Sequence, residues 1–402
     1  MDWNNSPESG RKQTMEHLLN PRVKNIQISG IRRFYNLVSQ YPGAISLTIG
    51  QPDFPTPEHV KEAAISAIHA NHTSYTPNAG IPALRQAAAR FVADRYGLHY
   101  HPDDEVLVTV GASHAIDIAL RTILTEGAEV VLPAPVYPGY EPVARICGGK
   151  VLFADTTRNG FKLTARLLEP YLTPRTRCVI LPYPSNPTGS VLTRDELGEL
   201  AELLRPRDLI VLSDEIYSEL VFDGQHVSIA QFPGMREKTI VVNGLSKSHS
   251  MTGWRIGLLF APAEITRHMV KVLQYSAMCA TSISQYAAIE ALTQGADDAR
   301  PMREEYRWRR DYVYDCLAAM GLEVTRPQGA FYIFPSIRRF GLSSLEFATR
   351  LLEEQRVAVV PGDAFSRFGE GYVRISYACS REDLKEGLDR LERFVQTLEG
   401  RQ

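Results

Sequence analysis

From about Asp104 to Ala261 the chain keeps returning to short, nearly unbroken apolar runs, and nothing else in it limits the fold as strongly. The runs are EVLVTV (105–110), EVVLP (129–133), KVLFA (150–154), CVILP (178–182), LIVLSD (209–214), TIVVNG (239–244) and IGLLFA (256–261). Runs this rich in β-branched residues suit strands buried on both faces. Amphipathic stretches separate several of them. One, Thr193 to Leu204, opens T-R-D-E in the style of a capping box. Strands alternating with helices predict an α/β domain around a mostly parallel sheet.

After Pro262 the character changes. A long helical stretch leads toward Leu317, followed by a strand (AFYIFP, 330–335), a helix (Ser343 to Gln355), a short strand (VAVVP, 357–361), another (YVRISYA, 372–378) and a closing helix (Arg381 to Leu398). This reads as a smaller α+β domain, which the segment up to about Phe54 is expected to join. A length of 402 residues also favours two domains. The expected division is a flexible tail over 1–14, an N-terminal segment over 15–54 joining the small domain, a large domain over 55–295 and a small C-terminal domain over 296–402.

The formal net charge is -2 and no strongly basic block occurs, so nothing electrostatic favours nucleic acid or an anionic membrane as partner. Five scattered cysteines without a C-x-x-C pair argue against a disulfide framework or a thiolate zinc site and for free thiols. No H-E-x-x-H cluster suggests a metal, and no G-x-S-x-G suggests a serine hydrolase. No apolar run is long enough to cross a bilayer, and the polar opening MDWNNSPESGRKQT lacks the apolar stretch of a secretory signal. A cytoplasmic location is therefore expected.

In open parallel sheets, ligands bind beyond the carboxyl ends of the strands, so the polar residues there deserve inspection. LIVLSDEIY places Asp214 at the end of an apolar run. A carboxylate there is costly unless it caps a helix or meets a cation such as a protonated pyridine nitrogen. TIVVNGLSKSHS places Lys247 just past another strand, either as a solvated charge or as an amine that holds an aldehyde cofactor. LVTVGASHAID sets Ala112 and Ser113 where a helix starts, a place for phosphate or an ordinary turn, and Arg255 is available to the same anion. LPYPSNPTG puts Asn186 in a turn, where its amide can serve turn chemistry or donate to a phenolic oxygen, as Tyr217 can. Arg374, inside YVRISYA, either faces water from an edge strand or meets a planar anion such as a carboxylate. His114 and His249 lie close to these segments and read as structural.

Together, S-N-P-T-G (185–189), S-D-E-I-Y (213–217) and S-K-S-H-S-M-T-G-W-R-I-G (246–257), in this order and spacing, resemble the class I/II, fold-type I aminotransferases. The resemblance covers the chain from Met15. It implies pyridoxal 5′-phosphate as cofactor, a seven-stranded, mostly parallel sheet in the large domain, and a homodimer with shared active sites. It makes Lys247 the lysine that forms a Schiff base with the cofactor and Asp214 the partner of the ring nitrogen. Asn186 and Tyr217 serve the phenolic oxygen; Ala112, Ser113 and Arg255 serve the phosphate. Tyr137, in PVYPGY, stacks on the ring. Arg374, Asn186 and the backbone of Gly50 hold the substrate α-carboxylate. Tyr75, in SYTPNAG, reaches the neighbouring subunit's phosphate. Where some members carry a hydroxyl residue three positions before the lysine, this chain has Gly244; Ser246 is the candidate substitute.

MEHLLNP, ISLTIGQPDF, SYTPNAG, GFKLTARL, NGLSKSHSMTGWRIG and GAFYIFPSI resemble in particular the bacillus-type N-acetyl-LL-diaminopimelate aminotransferases of lysine and diaminopimelate synthesis. The expected reaction is ping-pong transamination with 2-oxoglutarate. An aromatic or aspartate-type specificity, or a C–S lyase on the same fold, uses the same lysine and aspartate. A regulator built on this fold needs a DNA-binding domain that the short polar segment before Met15 does not supply. Arg32 and Arg33 are either solvated or placed to meet a distal substrate carboxylate.

Overall fold

The computed structural model describes residues 15–400; the tail expected over 1–14 lies outside the described residues. A short strand, β1 (Ile45–Ser46), precedes the seven apolar runs. These become β2 (Val106–Thr109), β3 (Glu129–Ala134), β4 (Lys150–Asp155), β5 (Thr176–Leu181), β6 (Ile210–Asp214), β7 (Thr239–Gly244) and β8 (Gly257–Phe260). All seven belong to one sheet in the order β2-β8-β7-β6-β5-β3-β4. Only β8 runs against its neighbours; the remaining pairings are parallel. The expected seven-stranded, mostly parallel sheet is present.

The unbroken apolar runs follow from burial on both faces. Along β5, Cys178 and Ile180 enter the core on one side, Val179 and Leu181 on the other. Helix Ala112–Ile123 covers the first side through Ala115 and Ile116. Helix Arg194–Leu204 covers the second through Leu197 and Leu200. Successive side chains point to opposite faces, so a strand covered twice has no position left for a solvated residue. The second helix starts at the expected capping box. Thr193 Oγ1 accepts from the Glu196 N–H, and the Glu196 carboxylate accepts from the Thr193 N–H at 2.7 Å.

Beyond Pro262, the single helical stretch read from the sequence divides into three helices, Ala263–Ser276, Ser282–Thr293 and Ala299–Ala319. The remaining strands are β9 (Tyr332–Ile333), β10 (Val357–Ala358), β11 (Val360–Pro361) and β12 (Val373–Ser376), and helix Arg381–Glu399 closes the described chain. VAVVP reads as one strand but forms two. Its first half pairs in parallel with β1, and its second half pairs antiparallel with β12. Val359, at the break, is buried like its neighbours, so hydropathy runs on while the backbone changes partners. AFYIFP likewise shortens to β9, which pairs with β12. Leu47, beside β1, shares one core with Tyr306, Val357 and Leu388. Asp53 accepts hydrogen bonds from Tyr306 at 2.9 Å and Arg309 at 2.9 Å, which ties the early segment to helix Ala299–Ala319.

Candidate active site

The carboxyl ends of the parallel strands form one rim. Because β8 runs the other way, its start lies at that rim, and so does Arg255, two residues before it. Gly257 makes this possible: a Cβ there would stand 2.4 Å from the Gly111 carbonyl carbon, so only glycine lets β8 begin against the turn into helix Ala112–Ile123. The rim, β9 and β12 enclose a cavity of about 300 Å³. Every residue that the family resemblance assigned lines it except Tyr75. Tyr75 is 84% exposed and stands apart from the cavity of its own chain.

Asp214, the last residue of β6, is only 6% exposed. Its carboxylate accepts from the Tyr140 hydroxyl at 2.6 Å and the Ile216 N–H at 3.2 Å. Burial pushes its pKa up to about 6, against the pull of those two bonds. A buried carboxylate with only neutral donors in contact favours a cation brought into the cavity. Half-buried Lys247 lies beyond β7 and donates to the Gly50 carbonyl at 2.7 Å. Burial, with Arg374 and Arg255 nearby, brings its amine down to about 8, against the attraction of Asp214.

Arg374 does not face water. β12 is the middle strand of a three-stranded sheet, and the side chain is 2% exposed. It donates to Asn186 Oδ1 at 3.0 Å and to the Thr48 carbonyl at 2.7 Å. Its guanidinium carbon lies 4.3 Å from the centre of the Tyr332 ring and 5.0 Å from that of Phe365. Its Nε has no partner among the described residues, and burial lowers its pKa from the usual value. A buried guanidinium with a spare N–H suits a planar anion. Asn186 spends its oxygen on Arg374, so its amide N–H group is left for the cavity.

Arg255 donates to the Thr252 carbonyl at 2.9 Å beside Ala112 and Ser113, so a guanidinium and a helix start converge on one end of the cavity. Ser246 is buried on the same wall. Tyr137 folds back over Gly139, where a Cβ would stand 2.3 Å from the Tyr137 ring. The Tyr217 hydroxyl meets that of Tyr332 at 3.0 Å.

His114 and His249 line no part of the cavity. His114 bonds to Ser276 at 2.9 Å, and His249 is buried between Ser248 and the Gly295 carbonyl, each 2.8 Å away. Arg32 and Arg33 are exposed and are not among the residues lining the cavity, while their neighbour Ile31 lines it. Sequence reasoning missed Tyr140, Tyr332 and Thr48. Tyr140 follows Tyr137 by three residues in PVYPGY, a usable signal. Tyr332 sits in a strand-like run and Thr48 acts through its backbone, so nothing local marks either.

Residues 42–391 match the family described as aminotransferase class I and II. A Bacillus subtilis protein described as a probable N-acetyl-LL-diaminopimelate aminotransferase is 60% identical over 381 residues, 95% of this chain and 96% of its own. The solved aromatic aminotransferase of Pyrococcus horikoshii superposes with a TM-score of 0.87 at 43% identity, over 92% of this chain and 99% of its own. The aspartate aminotransferase of Thermus thermophilus, solved with maleate, gives 0.89 at 38% identity, over 93% and 99%.

Proposed function

This chain belongs to the aminotransferase class I and II family, and from that premise we propose which residues carry the reaction and which amino acid it takes. Members of the family use pyridoxal 5′-phosphate, and the cavity fits that group. It offers a buried carboxylate awaiting a cation, an amine held near neutral pKa, an arginine at a helix start, and a second arginine with an unpartnered Nε.

When bound, the cofactor supplies an aldehyde for an amine and a ring that withdraws electrons from carbon. In this reading Asp214 holds the proton on the ring nitrogen. Tyr140 keeps the Asp214 carboxylate oriented. The Asn186 amide and the Tyr217 hydroxyl donate to the phenolic oxygen. Arg255, Ser113, the Ala112 backbone and Ser246 hold the phosphate, and Tyr137 packs on the ring face. Lys247 Nζ would hold the cofactor through its aldehyde carbon and, as a free amine, would move a proton from the substrate α-carbon. With a pKa near 8, a useful fraction of that amine is neutral at physiological pH. Arg374 and Asn186 orient the α-carboxylate, with the Gly50 backbone at the same wall. The observation that carries this reading is the placement of Asp214, Lys247 and Arg374 around one cavity.

The proposed donor is N-acetyl-LL-2,6-diaminopimelate, with 2-oxoglutarate as acceptor. The identity of 60% to the Bacillus subtilis relative supports this choice. The proposed assembly is a cytoplasmic homodimer in which Tyr75 serves the partner's phosphate site; its exposure and its distance from its own cavity are in keeping with that. We also propose the domain division 15–54 with 296–402 against 55–295. The pairing of β1 with β10 supports it.

The test is a spectrum of the cofactor-loaded protein during additions of N-acetyl-LL-2,6-diaminopimelate, tyrosine, aspartate and cystathionine. Loss of the visible band fastest with the acetylated compound supports the substrate. Fastest loss with tyrosine or aspartate moves the assignment to a general aminotransferase, and pyruvate release from cystathionine without a keto acid indicates a lyase.

A further inference from the structure

Tyr217 and Tyr332 meet hydroxyl to hydroxyl at 3.0 Å in the buried wall of the cavity. A phenolic hydroxyl has one hydrogen to donate and lone pairs that accept, so one of the two donates to the other. The Tyr332 ring is fully buried and lies 4.3 Å from the Arg374 guanidinium carbon. A Cβ placed on Gly50 would stand 3.6 Å from the Tyr332 oxygen, so the hydroxyl sits at the junction of the Lys247 and Arg374 walls. Arg374, Asp214 and Tyr137 are the charged or titratable groups acting on the pair, and the Lys247 amine stands 6.0 Å from the Tyr217 ring centre. Burial holds both phenols above their ordinary pKa. Each therefore keeps its hydrogen over the range in which an aminotransferase works.

The direction of the bond follows from counting hydrogens. In the reading above, Tyr217 donates into the cavity, to an oxygen that carries negative charge. Its only hydrogen is then committed, and toward Tyr332 it can only accept. The opposite arrangement would turn the lone pairs of Tyr217 toward that anionic oxygen. We propose that Tyr332 is a positioning residue: its hydroxyl donates to Tyr217 and so directs the Tyr217 hydrogen into the cavity, while its ring supports the Arg374 guanidinium that takes the substrate carboxylate. One side chain thus joins the cofactor end of the site to the carboxylate end. The inference rests on the cofactor reading proposed above.

The experiment uses the full chain loaded with pyridoxal 5′-phosphate, as parent, Tyr332→Phe, Tyr332→Leu, Tyr217→Phe and the double Phe variant. Two quantities are read: the pH midpoint of the visible absorbance change, and the dissociation constant of 3-phenylpropionate, a monocarboxylate without an amine. A donor to the phenolic oxygen favours the more anionic, deprotonated form. Weakening that donor therefore raises the midpoint, by about one pH unit for Tyr332→Phe. Because the ring remains, Tyr332→Phe binds the carboxylate within about twofold of the parent. Tyr332→Leu shows the same midpoint rise and binds about tenfold more weakly. In the Tyr217→Phe background, Tyr332→Phe adds no further shift, because its effect passes through Tyr217.

A parent-like midpoint in Tyr332→Phe, a failure of that variant to develop the band, or full additivity in the double variant overturns the hydroxyl role. Equal carboxylate binding by the Phe and Leu variants overturns the ring role. A parent protein that never acquires a visible band overturns the cofactor reading itself, and this inference with it.

Discussion

The two walls of the cavity are built in different ways. One is the rim of the seven-stranded sheet. Asp214, Lys247 and Asn186 each stand at or just past the end of a strand held by neighbours on both sides, and Ser113 follows the edge strand β2. The other wall is assembled from short pieces: the residues after β1, the two-residue β9, and β12. Its key groups meet only through pairings between distant segments, such as Arg374 with Thr48 and Asn186. The rim presents reactive groups on a rigid frame. In the proposed reading the second wall is the carboxylate clamp, on elements too short to stand alone. In that reading chemistry and recognition fall mainly on different walls, joined through Tyr332.

The largest expected effect falls on the rim. Lys247→Ala should lower turnover by about 10⁴-fold or more without changing the far-ultraviolet circular dichroism. Retained steady-state activity would break the division of labour at its centre.

Asp214→Asn should lower turnover by about 10²-fold to 10³-fold, and it carries a second signature. The folded pKa of Asp214 lies near 6, above its usual 3.8. The folded state therefore binds the extra proton more readily, and this group's contribution is most favourable below about pH 4 and lost as pH rises through 6. Cofactor-free Asp214→Asn should accordingly be more stable than the parent above pH 6, by roughly 1–3 kcal/mol. Below pH 4 the two should converge. Denaturant melts at pH 4, 6 and 8 read this directly, and a less stable variant at pH 8 would contradict the desolvation argument.

On the other wall, Arg374→Lys should lower kcat/KM for the amino donor by about 10²-fold, chiefly through KM, because an ammonium cannot replace the planar fork between Asn186 and Thr48. An equal loss at saturating substrate would show that the clamp also shapes the chemical step, and the contrast between the walls would weaken.

Stability should follow the same contrast. Ile180→Ala, in the doubly covered sheet, should cost about 2–5 kcal/mol. Ile45→Ala, in half-buried β1, should cost roughly 1 kcal/mol. Urea unfolding of both variants checks the order, and a reversal would mean that β1 is the more tightly held element.

The rim was the legible part. Its strands announce themselves as apolar runs, and its candidate residues follow those runs within a few positions, so Asp214, Lys247 and Asn186 could be picked out from local context, and all three line one cavity. The second wall was legible only in part. Arg374 was found but its surroundings were left open, because nothing in YVRISYA tells whether β12 is an edge or a middle strand. Tyr332 went unnoticed, since a tyrosine in an apolar run is indistinguishable from core packing until its hydroxyl partner is known.

Sequence alone settled the α/β class, the seven strands, the family and nearly every cavity-lining candidate, because periodicity, strand-end polarity and ordered motifs are local properties of the chain. Tertiary structure decided how VAVVP divides between two sheets, that Arg374 is buried, that Tyr140 serves Asp214, and that Tyr332 bridges Tyr217 and Arg374. Each of these depends on hydrogen bonds between segments far apart in the chain. Hydropathy records how deeply a residue is buried but not which partner it meets there.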